Sequence, residues 1–152
     1  MISAIVLAAG ESKRMGQTKQ LLDWEGRAIL QRVLENLSRS RVDEVILVLG
    51  HEADRILQAL DTHQVKVVIN RNYKEGMITS IQQGLTNLND KVEAFFIVLA
   101  DQPAVGPEVF DRLIYEFRRV SPPKSIILPT FHSRRGHPAL FSAKYKKEAL
   151  RI

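Results

Sequence analysis

Residues 2–7 read Ile-Ser-Ala-Ile-Val-Leu and then break into Ala8, Ala9 and Gly10. A short run of branched apolar residues closing on small ones predicts a strand covered on both faces and feeding a turn. The period then changes. Across residues 28–38, Ile29, Leu30, Val33, Leu34 and Leu37 recur at helical spacing, with Gln31, Arg32, Glu35 and Asn36 on the other side. Residues 42–49 form a second apolar run closed by Gly50, residues 54–60 a short amphipathic helix, and residues 65–69 a third strand. Residues 77–88 set Met77, Ile78, Ile81, Leu85 and Leu88 on one helical face, and a fourth strand over 94–99 runs out to Asp101. A helix over 107–117 carries Val109, Phe110, Leu113, Ile114 and Phe117, with Pro107 tolerated in its first turn; 126–128 is a further strand. Residues 143–152 read as the opening of a helix without a cap or polar tail.

Strands alternating with helices of this length predict an α/β fold with a mainly parallel sheet covered on both faces, because parallel neighbours need crossover helices. No repeat or low-complexity tract divides the 152 residues, and Ser121-Pro122-Pro123 reads as an ordinary loop, so a single domain over 1–152 is expected. No apolar run approaches the roughly 18 to 20 residues of a membrane-spanning helix. The first apolar segment passes straight into Glu11, Ser12, Lys13 and Arg14 with no cleavage site, so a cytoplasmic location is the expectation.

Composition narrows the chemistry. The absence of cysteine removes disulfides, thiolate nucleophiles and thiolate-bound metals. Four separated histidines, His51, His63, His132 and His137, form no H-x-x-x-H pair. An excess of 22 Lys and Arg over 17 Asp and Glu, a net charge of +5, suits a polyanionic ligand. The cations are scattered and no aromatic-interleaved RNA motif is present, so neither nucleic acid nor membrane is expected as a partner.

The densest candidate site is Leu7, Ala8, Ala9 and Gly10 followed by Glu11, Ser12, Lys13, Arg14, Met15, Gly16, Gln17, Thr18 and Lys19. It follows the first predicted strand, at the end of the sheet where α/β proteins bind ligands. Small residues let backbone N–H groups approach a phosphate chain, and Arg14 and Lys19 supply charge. The spacing from Gly10 to Gly16, with no Gly-Lys-Ser/Thr after it, excludes a Walker loop, and Ser12 replaces the second glycine of a dinucleotide fingerprint. Asp101, before Gln102-Pro103 at the end of another strand, is placed to hold Mg²⁺ against phosphates, although Asp near Pro is also ordinary turn chemistry. Asn70 and the segment Gly76-Met77 to Ser80 either present N–H groups and a hydroxyl to a ligand or form a capped helix start with Met77 in the core. Arg134, Arg135, Gly136 and His137 are either a grip for a second phosphorylated substrate or a solvated turn.

Taken in order, Leu7 to Gly16 with Lys19-Gln20-Leu21-Leu22, Asn70 with Gly76 to Ser80, Leu99-Ala100-Asp101-Gln102-Pro103, and Arg135-Gly136-His137-Pro138-Ala139-Leu140-Phe141 make the chain resemble the molybdenum-cofactor cytidylyltransferases. These belong to the nucleotide-diphospho-sugar transferase superfamily. The resemblance implies a Rossmann-like three-layer α/β/α domain that moves CMP from CTP to the phosphate of molybdopterin and releases pyrophosphate, with Mg²⁺. It assigns the loop amides of Leu7, Ala8, Ala9, Gly10 and Gly16, with Arg14, to the nucleotide phosphates. Lys19 is assigned to the α-phosphate and Asp101 to the metal; Asn70, Gly76 and Ser80 to the ribose or base; Arg135 and His137 to molybdopterin. Ala9, where guanylyltransferase relatives typically carry glycine, implies cytosine. Another phosphate acceptor, such as a sugar or polyol phosphate, and a non-catalytic binding module are the rival readings. The family resemblance further implies transient contact with a molybdenum hydroxylase or its chaperone. It also implies a later Asp-Ile-Asp-Thr-like segment with a second metal carboxylate, which these 152 residues lack.

Overall fold

The apolar runs assemble around β1 (Ile2–Ala8), every residue of which is buried. In the computed structural model, which describes residues 1–11, 18–119, 126–131 and 134–152, the chain next forms a short hairpin of β2 (Asp23–Trp24) and β3 (Arg27–Ala28). Helix α1 (Ile29–Ser38), β4 (Glu44–Leu49), α2 (Ala53–Ala59), β5 (Lys66–Ile69), α3 (Met77–Thr86), β6 (Ala94–Leu99) and α4 (Pro107–Arg119) follow. The described chain closes with β7 (Ile126–Ile127), a second hairpin of β8 (Thr130–Phe131) and β9 (Arg134–Arg135), then β10 (Ala139–Ser142) and α5 (Lys146–Leu150). The expected loop at Ser121-Pro122-Pro123 lies outside the described residues.

The main sheet has the order β5-β4-β1-β6-β10-β7. The four long strands are parallel, in register from Ser3 opposite Glu44 and from Ile2 opposite Ala94. Because the chain first adds β4 and β5 on one side of β1 and then crosses to β6 on the other, the order reverses between β1 and β6. A crevice opens at such a switch point, outside the carboxyl ends of the strands.

Alternation along each strand divides two cores. Ile2, Ala4, Val6 and Ala8 face Leu30, Val33, Leu34 and Leu37 of α1 together with Phe110, Leu113, Ile114 and Phe117 of α4. Ile5, Leu7 and Ala9 face Leu85 of α3, and Phe141 and Ala149 pack on the same side. Both faces of the sheet are therefore apolar, which is why its strands read as continuous runs rather than alternating ones. Aromatic pairs tie the layers: Phe96 meets Phe110 edge-on at 5.2 Å, and Phe95 stacks on Phe141 at 5.6 Å.

Three departures from the sequence reading matter for the site. β10, absent from the sequence reading, is antiparallel to both β6 and β7 and separates them. Met77, expected on the apolar face, is 60% exposed because it opens α3 before that helix meets the sheet. Asn36, expected on the polar side of α1, is buried and donates from Nδ2 to the carbonyl of Pro103 at 2.9 Å, which fixes the turn after β6. Among the described residues no helix is long and apolar enough to cross a membrane.

Candidate active site

At the switch point the ends of β1 and β6, the start of α3 and the turn at Lys19–Leu21 enclose a cleft of about 580 Å³. Leu7, Ala8, Ala9 and Gly10 line one wall and Leu99, Ala100 and Asp101 the other, with Gly76, Met77 and Ser80 at the α3 end. Small side chains on the β1 wall leave the backbone open to a close-lying ligand.

Gln20 holds that wall in shape. It is buried, and its Nε2 donates to the carbonyl of Ala8 at 3.1 Å and of Gly10 at 3.5 Å. The sequence reading gave it no role; the available signal was a glutamine among the leucines that pack against α1. Glu11 and Tyr73, also cleft residues, were likewise unassigned.

Lys19 and Asp101 are 82 residues apart and meet here, Nζ to Oδ2, at 2.9 Å. Their side chains are 44% and 43% exposed. An ion pair that exposed contributes roughly 0–1 kcal/mol, so each partner is readily exchanged for a charged ligand.

Ser80 sits in the cleft, and Asn70 sits behind it. Asn70 is fully buried, its Nδ2 donating at 2.9 Å to both Thr79 Oγ1 and Ser80 Oγ, its Oδ1 accepting from the Asn72 N–H at 3.0 Å. Those bonds pin the turn that leads into α3, so in this structure Asn70 orients Ser80 and is not part of the lining. Gly76 opens that helix at φ +110°, a conformation strained for any residue with a Cβ.

Arg135 and His137 are exposed and outside the cleft lining. The antiparallel register that sets Ala139 opposite Ile97 nevertheless brings residues 134–138 to the carboxyl end of β6, the same end of the sheet as the cleft. Arg14 and Gly16 lie outside the described residues.

For a divalent cation the donor set is sparse. No group of three or more His, Asp or Glu side chains able to hold a metal exists among the described residues. Two carboxylates, Glu11 and Asp101, line the cleft; they are too few for a cage made by the protein alone and fit a hard cation shared with an anionic ligand.

The chain as a whole has relatives among known proteins. The MobA-like NTP transferase domain model matches residues 4–152. The chain belongs to that family. A probable molybdenum cofactor guanylyltransferase of Methanosarcina mazei is 34% identical to this NTP transferase domain over 97% of the chain and 65% of its own length. The molybdenum cofactor cytidylyltransferase of Escherichia coli is 29% identical over 98% of the chain and 74% of its own. The chain thus spans about two thirds to three quarters of the length of these relatives. Among solved structures, Rv0371c of Mycobacterium tuberculosis superposes with a TM-score of 0.88 at 30% identity, covering 99% of this chain and 76% of the other. Its complex with manganese gives 0.84 at 27%, with the same coverage. The α/β nucleotidyltransferase fold expected from the sequence is the fold found.

Proposed function

We propose that this domain transfers CMP from CTP to the phosphate of molybdopterin, with release of pyrophosphate and with Mg²⁺ as the metal. The observation that carries the proposal is the meeting of Lys19 and Asp101 at 2.9 Å on the mouth of the switch-point cleft. An ammonium and a carboxylate that neutralise each other loosely, beside a backbone-lined wall, suit a ligand that brings anionic phosphates and a cation together.

In the proposed reaction an oxygen of the acceptor phosphate attacks the α-phosphorus of the nucleotide in line, and the bond to the bridging oxygen of pyrophosphate breaks. No protein nucleophile is required, and positioning with charge neutralisation does most of the work. The amides around Ala8 to Gly10, with Arg14 and Gly16, hold the phosphates. Lys19 turns from Asp101 to the α-phosphate and offsets the charge that builds there. Asp101 would hold the cation, which when bound would supply Lewis-acid stabilisation of the departing pyrophosphate. Ser80 and Gly76 face the ribose or base, with Asn70 orienting Ser80 from behind. Arg135 and His137, at the same end of the sheet, receive the acceptor.

CTP is proposed over GTP because of Ala9, and molybdopterin over a sugar or polyol phosphate because of the four motifs in order. The two relatives above carry names for both bases. A cytoplasmic location and delivery of the product to a molybdenum hydroxylase or its chaperone complete the proposal.

Pyrophosphate release with Mg²⁺, comparing CTP, GTP and ATP at equal concentration and molybdopterin with a sugar phosphate, tests the transfer, the base and the acceptor. Release with CTP alone is expected. Release with GTP alone overturns the base, release with a sugar phosphate in place of molybdopterin overturns the acceptor, and nucleotide binding without release makes the chain a binding module.

A further inference from the structure

The cleft has a second anchor at the exit of β4. β4 leaves the sheet at Leu49, and in the next turn Glu52 takes φ +53°, in the left-handed region. Residues with a Cβ enter that region against a steric cost, and Asn and Asp are the types enriched there. A glutamate in that conformation therefore needs to be held, and such residues cluster where a function uses them. Glu52 is held from several sides. Thr18 Oγ1 donates to Glu52 Oε2, Arg55 Nη1 lies 3.6 Å from Oε1, and the Glu52 carbonyl accepts from the Ile56 N–H at 3.0 Å. Thr18 is itself only 5% exposed. The residue after it is Lys19, whose Nζ reaches Asp101 across the cleft mouth. A carboxylate on the exit of β4 is thus one residue removed from the root of the ammonium that faces the nucleotide.

We propose that Glu52 is a positioning residue: through the Thr18 hydroxyl it fixes the backbone from which Lys19 reaches Asp101 and the reacting phosphate. The chemical consequence rests on the nucleotidyl-transfer reading; the geometry does not. In this arrangement the left-handed turn carries the carboxylate to Thr18.

Glu52→Gly separates the two roles that the residue could have. Glycine adopts the left-handed conformation freely, which offsets the hydrogen bond lost from Thr18, so the variant should melt close to wild type and above Thr18→Val. Turnover should fall about tenfold or more, since small misplacements of a charged group cost that much, while nucleotide affinity changes about twofold or less. Glu52→Gln keeps an acceptor for Thr18 and should restore turnover, as should Thr18→Ser but not Thr18→Val. In a Lys19→Ala background Glu52→Gly should have no further effect on kcat. A melting temperature that falls in step with turnover, or an undiminished effect in the Lys19→Ala background, overturns the proposal.

Amine-reactive labelling of Lys19, followed by peptide mass spectrometry on the same variants, reads the geometry without turnover. Faster labelling in Glu52→Gly and Thr18→Val than in Glu52→Gln and Thr18→Ser is expected, and equal rates overturn the positioning role. If the wild-type protein releases no pyrophosphate with any nucleotide, the nucleotidyl-transfer reading fails alone, and the labelling decides the rest.

Discussion

Lys19 and Asp101 hold each other at 2.9 Å, and the proposed chemistry asks each to give up that partner for a part of the nucleotide. Both are about half exposed, so the exchange costs little. Lys19→Ala should then lower kcat by about 100-fold, the loss typical when one group aimed at transition-state charge is removed, with a much smaller change in nucleotide affinity. Equal losses in steady-state kinetics and calorimetric binding would contradict that role. Glu52 makes a separate prediction about pH. The hydrogen bond from Thr18, reinforced by the charges of Arg55 and His51, holds its pKa below the ordinary 4.5 against the opposing effect of burial. A carboxylate with a depressed pKa in the folded state stabilises the protein fully above its ordinary value and loses that contribution as pH falls through the folded one. Wild type should therefore exceed Thr18→Val in melting temperature near neutral pH, with the gap closing below about pH 4.5. A gap that is constant with pH would mean that the hydroxyl stabilises something other than the carboxylate. At this scale the sequence drew attention to residues where chemistry is concentrated in one side chain, and the fold brings three of those, Lys19, Asp101 and Ser80, into one cleft. Gln20 and Glu52 were not readable, since a buried glutamine and a left-handed glutamate are properties of their surroundings.

The elements owe their places to close contact. Helix α3 lies on β1 through Gly84, where an added Cβ would stand 2.4 Å from Ile5 Cγ2 and 3.1 Å from Cδ1. Gly84→Ala gains about 1 kcal/mol of helix propensity but overpacks a buried contact at a typical cost of about 1–3 kcal/mol. We expect a net loss, seen as a lower melting temperature by thermal unfolding. Ile5→Ala should be less costly in the Gly84→Ala background than in wild type, because it removes the atoms in conflict; strict additivity would show that the helix shifts instead. Since α3 also carries Ser80 and begins at Gly76, such a shift would be felt in the cleft. The long strands and four of the helices were legible from period alone because each presents several apolar residues in phase. The hairpins of β2 with β3 and of β8 with β9, with two residues to a strand, offer too few positions for any period to emerge.

At the scale of the molecule the cleft belongs to the core: its walls continue β1 and β6, the two strands that pair at the centre of the sheet. A ligand that binds only the folded state should stabilise the whole chain. Nucleotide at about 100 times its dissociation constant contributes about 2.7 kcal/mol, or a rise of roughly 5–10 °C in melting temperature for a chain of this size. Differential scanning fluorimetry with CTP or GTP and Mg²⁺ checks this, and no rise with either nucleotide would mean that the folded chain binds neither. The sequence by itself determined the α/β class, the parallel core and the positions of the loop after β1 and the acid after β6, because periodicity, small residues and strand ends are local properties of the chain. Only the tertiary structure decided that Lys19 meets Asp101, that Asn70 works from behind the cleft, that β10 separates β6 from β7, and that Glu52 stands against Thr18. Except for the Asn70 bonds, which span ten residues or fewer, these are contacts across tens of residues, and all are fixed by the strand order and by which atoms the packed layers leave within reach.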